Sequence, residues 1–334
     1  MVAALKKFVP DDFAGRFGAW WNGREYVPSG DEEASEPVAD NDPVPDELVS
    51  EEAEKPARKS PDKPKAKPAP ADTQGGVLSP TESRIAALEV LWGEGRFAPG
   101  SAEILSRLTD GMKPAEAGMD SRFGVVNGDP ALVSHLMGTS GSCPVIAEWR
   151  RPCADRFKLQ FADFDILFGD LDRPSFEPGS LDLLVSTDAF AFSDHKSGLA
   201  VRALRSLAPG GQWIVLDTVR GKAKGSLSPA FASAWAEPQI CDDHEIIEVC
   251  ESAGFDQSGD EDDLSGDVIQ ASRTAFERFG QNLEDKLGER IHQVNKAVFM
   301  RELAWEAESW KWRERALAGE LIHSKMWKFR KPAE

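Results

Sequence analysis

The sequence predicts an α/β domain built on a mostly parallel sheet with helices on both faces. Three observations predict it. Residues 123–126, 145–147, 181–185 and 213–216 are short, continuous apolar runs, as strands buried on both faces require, and lack the alternation of a half-exposed sheet. Each is followed by a helical pattern or a long crossover, the mark of βαβ units. The chain has 334 residues, of which 41% are apolar, and so can supply a sizeable core.

Taken in order, residues 5–26 carry Phe13, Phe17, Trp20 and Trp21 at i, i+4, i+7 and i+8, one face of a short amphipathic helix. Asp11 or Asp12 can cap it and Gly23 lies near its end. Residues 1–28 are therefore expected to dock onto a protein partner or onto the chain's own domain. Lys6, Lys7, Arg16 and Arg24 leave peripheral membrane contact as an alternative. Residues 29–79 are expected to be a disordered linker. Eleven acidic residues and no basic one lie between positions 31 and 54, and six basic residues and one acidic between 55 and 67. Pro56, Pro61, Pro64, Pro68 and Pro70 interrupt any helix there, so too little apolar area is available to offset chain entropy.

Residues 80–334 are expected to form one domain. Helices at 81–91, opened by Thr81 with Glu82 in the first turn, and at 101–108 flank the Gly- and Pro-rich loop 93–100. The strand at 123–126 leads through Asn127, Gly128, Asp129 and Pro130 into a helix at 131–137, and a further apolar run spans 164–168. Residues 265–318 read as a helical cap carrying Trp305, Trp310 and Trp312, and a last strand occupies 321–329. Packing between helices is the simpler reading of those tryptophans.

Composition excludes several classes of function. A formal net charge of -18 repels phosphate backbones, so no nucleic acid partner is expected. No run approaches a membrane span and the start lacks a secretory signal. Cys143, Cys153, Cys241 and Cys250 contain no C-x-x-C, so neither a metal site nor a disulfide framework is indicated and a cytoplasmic location is the default. Cys143 and Cys153 read as buried spacers beside the second strand.

In an open parallel sheet, ligands bind beyond the carboxyl ends of the strands, near the point where strand order reverses. After the first strand, Gly128 permits close backbone approach, and the following helix start offers unpaired N–H groups. After the second strand, Glu148 can accept both hydroxyl protons of a ribose. After the third run, the turn Gly169, Asp170, Leu171 offers an acceptor to the exocyclic amine of an adenine.

The stretch 169–172, then 176–186 (FEPGSLDLLVS), then 203–215 (ALRSLAPGGQWIV) resembles the class I S-adenosylmethionine-dependent methyltransferases, specifically their small-molecule branch with a methyltransferase 11 type core. Residues 249–255 (VCESAGF) and the closing 319–332 are similar to that family's helix-to-strand corner and last strand, and 91–100 (LWGEGRFAPG) to an entrance loop of some members. The likeness covers about residues 81–332. It implies a Rossmann-like sheet whose last strand is antiparallel, with a helical insertion before it, and S-adenosyl-L-methionine as cofactor. It places the methionine end near Asn127, Gly128 and Asp129, the ribose on Glu148, and the adenine against Trp149, with Asp170 and Leu171 at the amine. Thr187 and Asp188 would face the transferred methyl, and Glu94 and Phe97 would belong to the lid. Where the family carries G-x-G-x-G, this chain keeps only the central glycine, Gly128.

The expected function is methyl transfer to a small molecule or a protein side chain. The alternative is an inactive relative that serves as a protein-binding or scaffold module.

Overall fold

In a computed structural model of the chain, the described residues are 78–110, 122–140, 143–223, 225–227, 229–235, 238–281 and 295–333. The expected docking segment 1–28 and the linker as far as residue 77 lie outside them.

The first helix, α1 (Pro80–Trp92), begins one residue before the expected start. Its cap is Ser79 and not Thr81, because Pro80 fits the first helical turn, where no N–H is needed. Ser79 Oγ accepts from the Glu82 amide at 3.2 Å and Glu82 Oε2 accepts from the Ser79 amide at 2.8 Å, a reciprocal capping box. The second helix, α2 (Ala102–Thr109), is capped by Ser101.

Strands β1 (Phe123–Val126), β2 (Val145–Glu148), β3 (Ile166–Phe168), β4 (Leu181–Thr187) and β5 (Leu207–Arg220) run parallel in the order β3-β2-β1-β4-β5. The apolar run 164–168 yields a strand of only three residues, because Phe164 belongs to the preceding turn, where its amide bonds the Phe161 carbonyl. Helices α3 (Pro130–Ser140) and α4 (Arg151–Gln160) follow the first two strands. The short α5 (Ala189–Phe192) and α6 (Lys196–Ser206) follow β4.

Beyond β5 come α7 (Pro229–Ala234), α8 (Asp243–Ala253), the two-residue strands β6 (Asp256–Gln257) and β7 (Asp262–Asp263), and the long helices α9 (Ser265–Gln281) and α10 (Lys296–Ala318). The last strand, β8 (Ile322–Arg330), pairs antiparallel with β5, β6 and β7. The expected architecture, with its single reversed long strand and a helical insertion before it, is the one observed. No helix among the described residues is long and apolar enough to cross a membrane.

The core lies where β5 and β8 meet the helices. Trp213 is fully buried, with Phe190, Phe255 and Phe329 rings 5.5, 5.4 and 6.2 Å away. Its indole N–H donates to Ser186 Oγ at 3.0 Å, so burial leaves no orphan donor. Cys153 is buried as expected, and burial pushes its thiol up to about 12. Cys143 is exposed and is no buried spacer, since it precedes β2 where the chain surfaces.

Strand order reverses between β1 and β4, which puts the crevice for a ligand at their carboxyl ends. That is where α10, α1 and the loop 93–100 close over the sheet.

Candidate functional site

Two strand ends are built around left-handed residues. Asn127 after β1 has φ 55° and Asp188 after β4 has φ 48°, a region that Asn and Asp tolerate better than most side chains. The two ends are cross-tied: Asn127 Nδ2 donates to the Thr187 carbonyl at 2.7 Å, and Thr187 Oγ1 donates to the Asn127 carbonyl at 2.6 Å. Trp149 Nε1 donates to Asn127 Oδ1 at 2.9 Å, so the indole expected to flank adenine is anchored to the β1 turn, its ring 5.8 Å from that of Phe192.

These residues line one cavity of about 520 Å³. Its floor is the strand ends, with Asn127, Gly128, Asp129, Trp149, Thr187 and Asp188, and its roof is α10, with Glu302, Glu306, Trp310 and Arg313. Phe97 of the loop 93–100 also faces it, whereas Glu94 is exposed and lies apart from the cavity. Glu148, Asp170 and Leu171 line a separate small cleft of about 10 Å³, which Trp149 shares with the large cavity. Of these, Asp170 is exposed and accepts the Asp172 amide at 3.0 Å, and Leu171 is buried.

The start of α3 offers no unpaired donor, contrary to expectation. Pro130 has no N–H, the Ala131 amide donates to the Gly95 carbonyl at 3.0 Å, and the Leu132 amide donates to Asp129 Oδ1 at 2.8 Å. Asp129 is thus the helix cap, and burial pushes its carboxyl up against the opposing pull of the Leu132 amide and Arg96. Gly128 is needed for packing: a Cβ there would meet Val125 Cγ1 at 2.5 Å.

Glu148 is only 2% exposed and both its oxygens are engaged by Arg150. Arg150 Nε donates to Oε1 at 2.9 Å and Nη2 to Oε2 at 2.8 Å, while the Arg150 amide donates to Oε1 at 2.7 Å. The bidentate fork is the geometry that best compensates a buried carboxylate.

Asp188 is likewise engaged. Its Oδ1 accepts from Thr218 Oγ1 at 2.8 Å and its Oδ2 from Arg313 Nη2 at 3.1 Å. Arg313 lies between the indoles of Trp235 and Trp310, 3.7 and 3.8 Å from their ring centres. Beneath them Asp217 is fully buried and accepts the Phe190, Ala191 and Thr218 amides. Burial, then the nearby Asp188 charge, raises its carboxyl well above the usual range.

Sequence reasoning missed Arg313, Trp235 and Glu306. The residue of that group with a signal was Glu306, which stands one turn from both Glu302 and Trp310 on α10.

No protein-family model and no curated protein matches the chain. Solved structures do. It is similar to phosphoethanolamine N-methyltransferase 2 of Haemonchus contortus in complex with phosphomonomethylethanolamine and S-adenosylhomocysteine, with a TM-score of 0.62 at 18% identity over 75% of this chain and 58% of that one. It is similar to a putative sarcosine dimethylglycine methyltransferase from Galdieria sulphuraria, with a TM-score of 0.54 at 13% identity over 75% and 99% of the two chains. It is also similar to the [4+2]-cyclase SpnF, with a TM-score of 0.52 at 15% identity over 78% and 100%. The chain spans a little under three fifths of the Haemonchus enzyme. With the strand order, the reversed last strand and the cavity at the switch point, these likenesses establish that the chain has the class I S-adenosylmethionine-dependent methyltransferase fold.

Proposed function

We propose that the chain is an S-adenosylmethionine-dependent methyltransferase whose acceptor is a small molecule held in the cavity between the strand ends and α10. The observation that carries this reading is the continuity of that cavity from the β1 turn to the cap helix. A space roofed by buried side chains suits a small molecule better than a protein side chain, which must be presented from outside.

The donor set fits the cofactor in chemistry. A carboxylate at the end of β2, an indole beside it and a second carboxylate after β3 suit a ribose, an aromatic base and an exocyclic amine. Glu148 would hold the ribose in place of the Arg150 guanidinium, Trp149 would flank the base with Leu171, and Asp170 would take the amine. The polypeptide near Asn127, Gly128 and Asp129 would face the methionine end through shape, since the donors of α3 are already satisfied.

Bound there, the cofactor supplies an electrophilic methyl group on sulfur. Displacement at such a carbon depends on alignment and on exclusion of water. Phe97, Phe192, Trp235 and Trp310 supply an apolar wall for that purpose. Asp217, by fixing the turn that carries Asp188, and Arg313, by pinning that turn to α10, keep floor and roof at a constant separation. Thr187 and Asp188 therefore serve as positioning residues.

Calorimetry on the full chain tests the reading. S-adenosylmethionine and S-adenosylhomocysteine are expected to bind in the micromolar range, and Glu148→Ala to weaken both by at least about tenfold, as loss of charged hydrogen bonds does. No heat at millimolar cofactor overturns the proposal and favours a module that binds without transferring.

A further inference from the structure

Four arginines face the cavity, and each has an acid of the chain opposite it. Arg84 pairs with Glu302 at 2.6 Å, Arg150 with Glu148 at 2.8 Å and Arg313 with Asp188 at 3.1 Å, and Arg96 lies in the field of Asp129. Among the described residues Glu306 has no guanidinium in contact, and Arg313 and Arg84 act on it only through their charges at a distance. It lines the same cavity, one turn along α10 from Glu302 and two turns from Arg313, and makes no ion pair among the described residues.

Its partner is an indole. Trp92 Nε1 donates to Oε1 at 2.9 Å, and Trp310 stands one turn further along α10. One indole donor leaves most of a carboxylate's acceptor capacity, about four positions, for a ligand. Burial pushes the carboxyl up, against the Trp92 hydrogen bond and the charges of Arg313 and Arg84. The surrounding wall is aromatic, with Trp149, Phe192, Trp235, Trp305 and Trp310, and two of those indoles already carry a cation in Arg313. An acid without a guanidinium contact, in an aromatic-walled cavity, suits a ligand that brings a positively charged N–H.

We propose that Glu306 binds the amino group of a small primary or secondary amine in the cavity and takes a proton from its ammonium form, leaving the nucleophilic amine. The inference rests on the methyltransferase reading and names its acceptor class. The exchange balances by itself: ammonium and carboxylate become amine and carboxylic acid, and only a proton moves. A carboxyl that holds its proton more tightly than usual, facing an ammonium that has also left water, favours the neutral pair.

Tryptophan emission reports the site, because Trp92 hydrogen-bonds the carboxyl and Trp310 lines the cavity beside it. The full chain is titrated with methylamine, ethanolamine and sarcosine, with tetramethylammonium as the cation that lacks an N–H, and S-adenosylhomocysteine is titrated separately by calorimetry. At least one of the three amines is expected to shift the emission saturably, and tetramethylammonium to bind at least about tenfold more weakly. Glu306→Gln is expected to weaken the amine by about tenfold or more and to leave S-adenosylhomocysteine within about twofold. Glu308→Gln is the matched control, because that carboxylate takes the Trp312 indole at 2.7 Å outside the cavity, and it should change neither. If Glu306→Gln does not fold, Glu306→Asp is read in its place, with the same weakening expected from its shorter reach.

Amine affinity unchanged in the variant overturns the proposal, as does no response to any of the three amines at high millimolar concentration. Failure of S-adenosylhomocysteine to bind, with the amines behaving as expected, overturns the cofactor reading and supports the amine site.

Discussion

Arg150 reaches back two residues to grip Glu148, and this contact decides how the end of β2 behaves. The Glu148 side chain has no exposure and the Arg150 side chain is 31% exposed, so the guanidinium is the member of the pair that the cavity can reach. Desolvation works against its charge, but Cys153 and Glu148 hold the guanidinium above its ordinary value, and it remains a cation. Replacing it by methionine keeps the stem and leaves a buried carboxylate unpaired, a change that costs on the order of 3 kcal/mol. Arg150→Met is expected to lower the denaturant midpoint accordingly. It also frees Glu148 Oε2 and leaves Oε1 with the backbone amide of residue 150 alone, so S-adenosylhomocysteine should raise the melting temperature more in the variant than in the native chain, by mass action on a tighter site. Equal shifts in the two proteins would remove Glu148 from the ribose role.

Helix and strand boundaries record which signals are local. The strands β1, β2 and β4 were legible because each is a continuous apolar run closed by Asn127, Glu148 or Asp188, and runs of that kind declare themselves within a few residues. The strand β7 was not, and β6 only through the corner at 249–255, because two residues carry no period and exist only by pairing with β8. β5 begins at Leu207, six residues before its apolar run, since Ala208, Pro209 and Gly210 are held in place by their neighbours; the Gly210 amide donates to the Lys331 carbonyl at 3.1 Å. At the start of α1 two capping signals compete, and Pro80 decides between them by fitting the first turn when Ser79 is the cap. Ser79→Ala removes one half of the capping box and exposes the Glu82 amide. It is expected to lower stability by about 1 kcal/mol in urea unfolding, and Thr81→Ala by clearly less. Equal losses would return the cap to Thr81.

Among the described residues the domain is a sheet with a lid over it, and the sequence made the two halves unequally visible. Floor residues could be read because strand ends follow one another in a known order. Of the roof residues only Glu306 carried a signal, because Glu302 and Arg313 sit on a charged helix whose pattern resembles any solvated face. Arg313 to Asp188 joins roof to floor, while Trp305 Nε1 ties α10 to the Ala234 carbonyl of α7 at 2.8 Å, and Arg84 to Glu302 and Trp92 to Glu306 tie it to α1. Of these, Arg313 is the most deeply buried cation, held by two indoles and one carboxylate. Arg313→Met keeps the apolar stem between the indoles but leaves Asp188 with Thr218 alone. If sheet and lid open as separate units, hydrogen exchange should accelerate by at least about tenfold in α10 and α7. Over the same period β1, β4 and β5, whose apolar core contains no part of the lid joint, should keep their native protection. Acceleration spread evenly over sheet and helices would mean one cooperative unit.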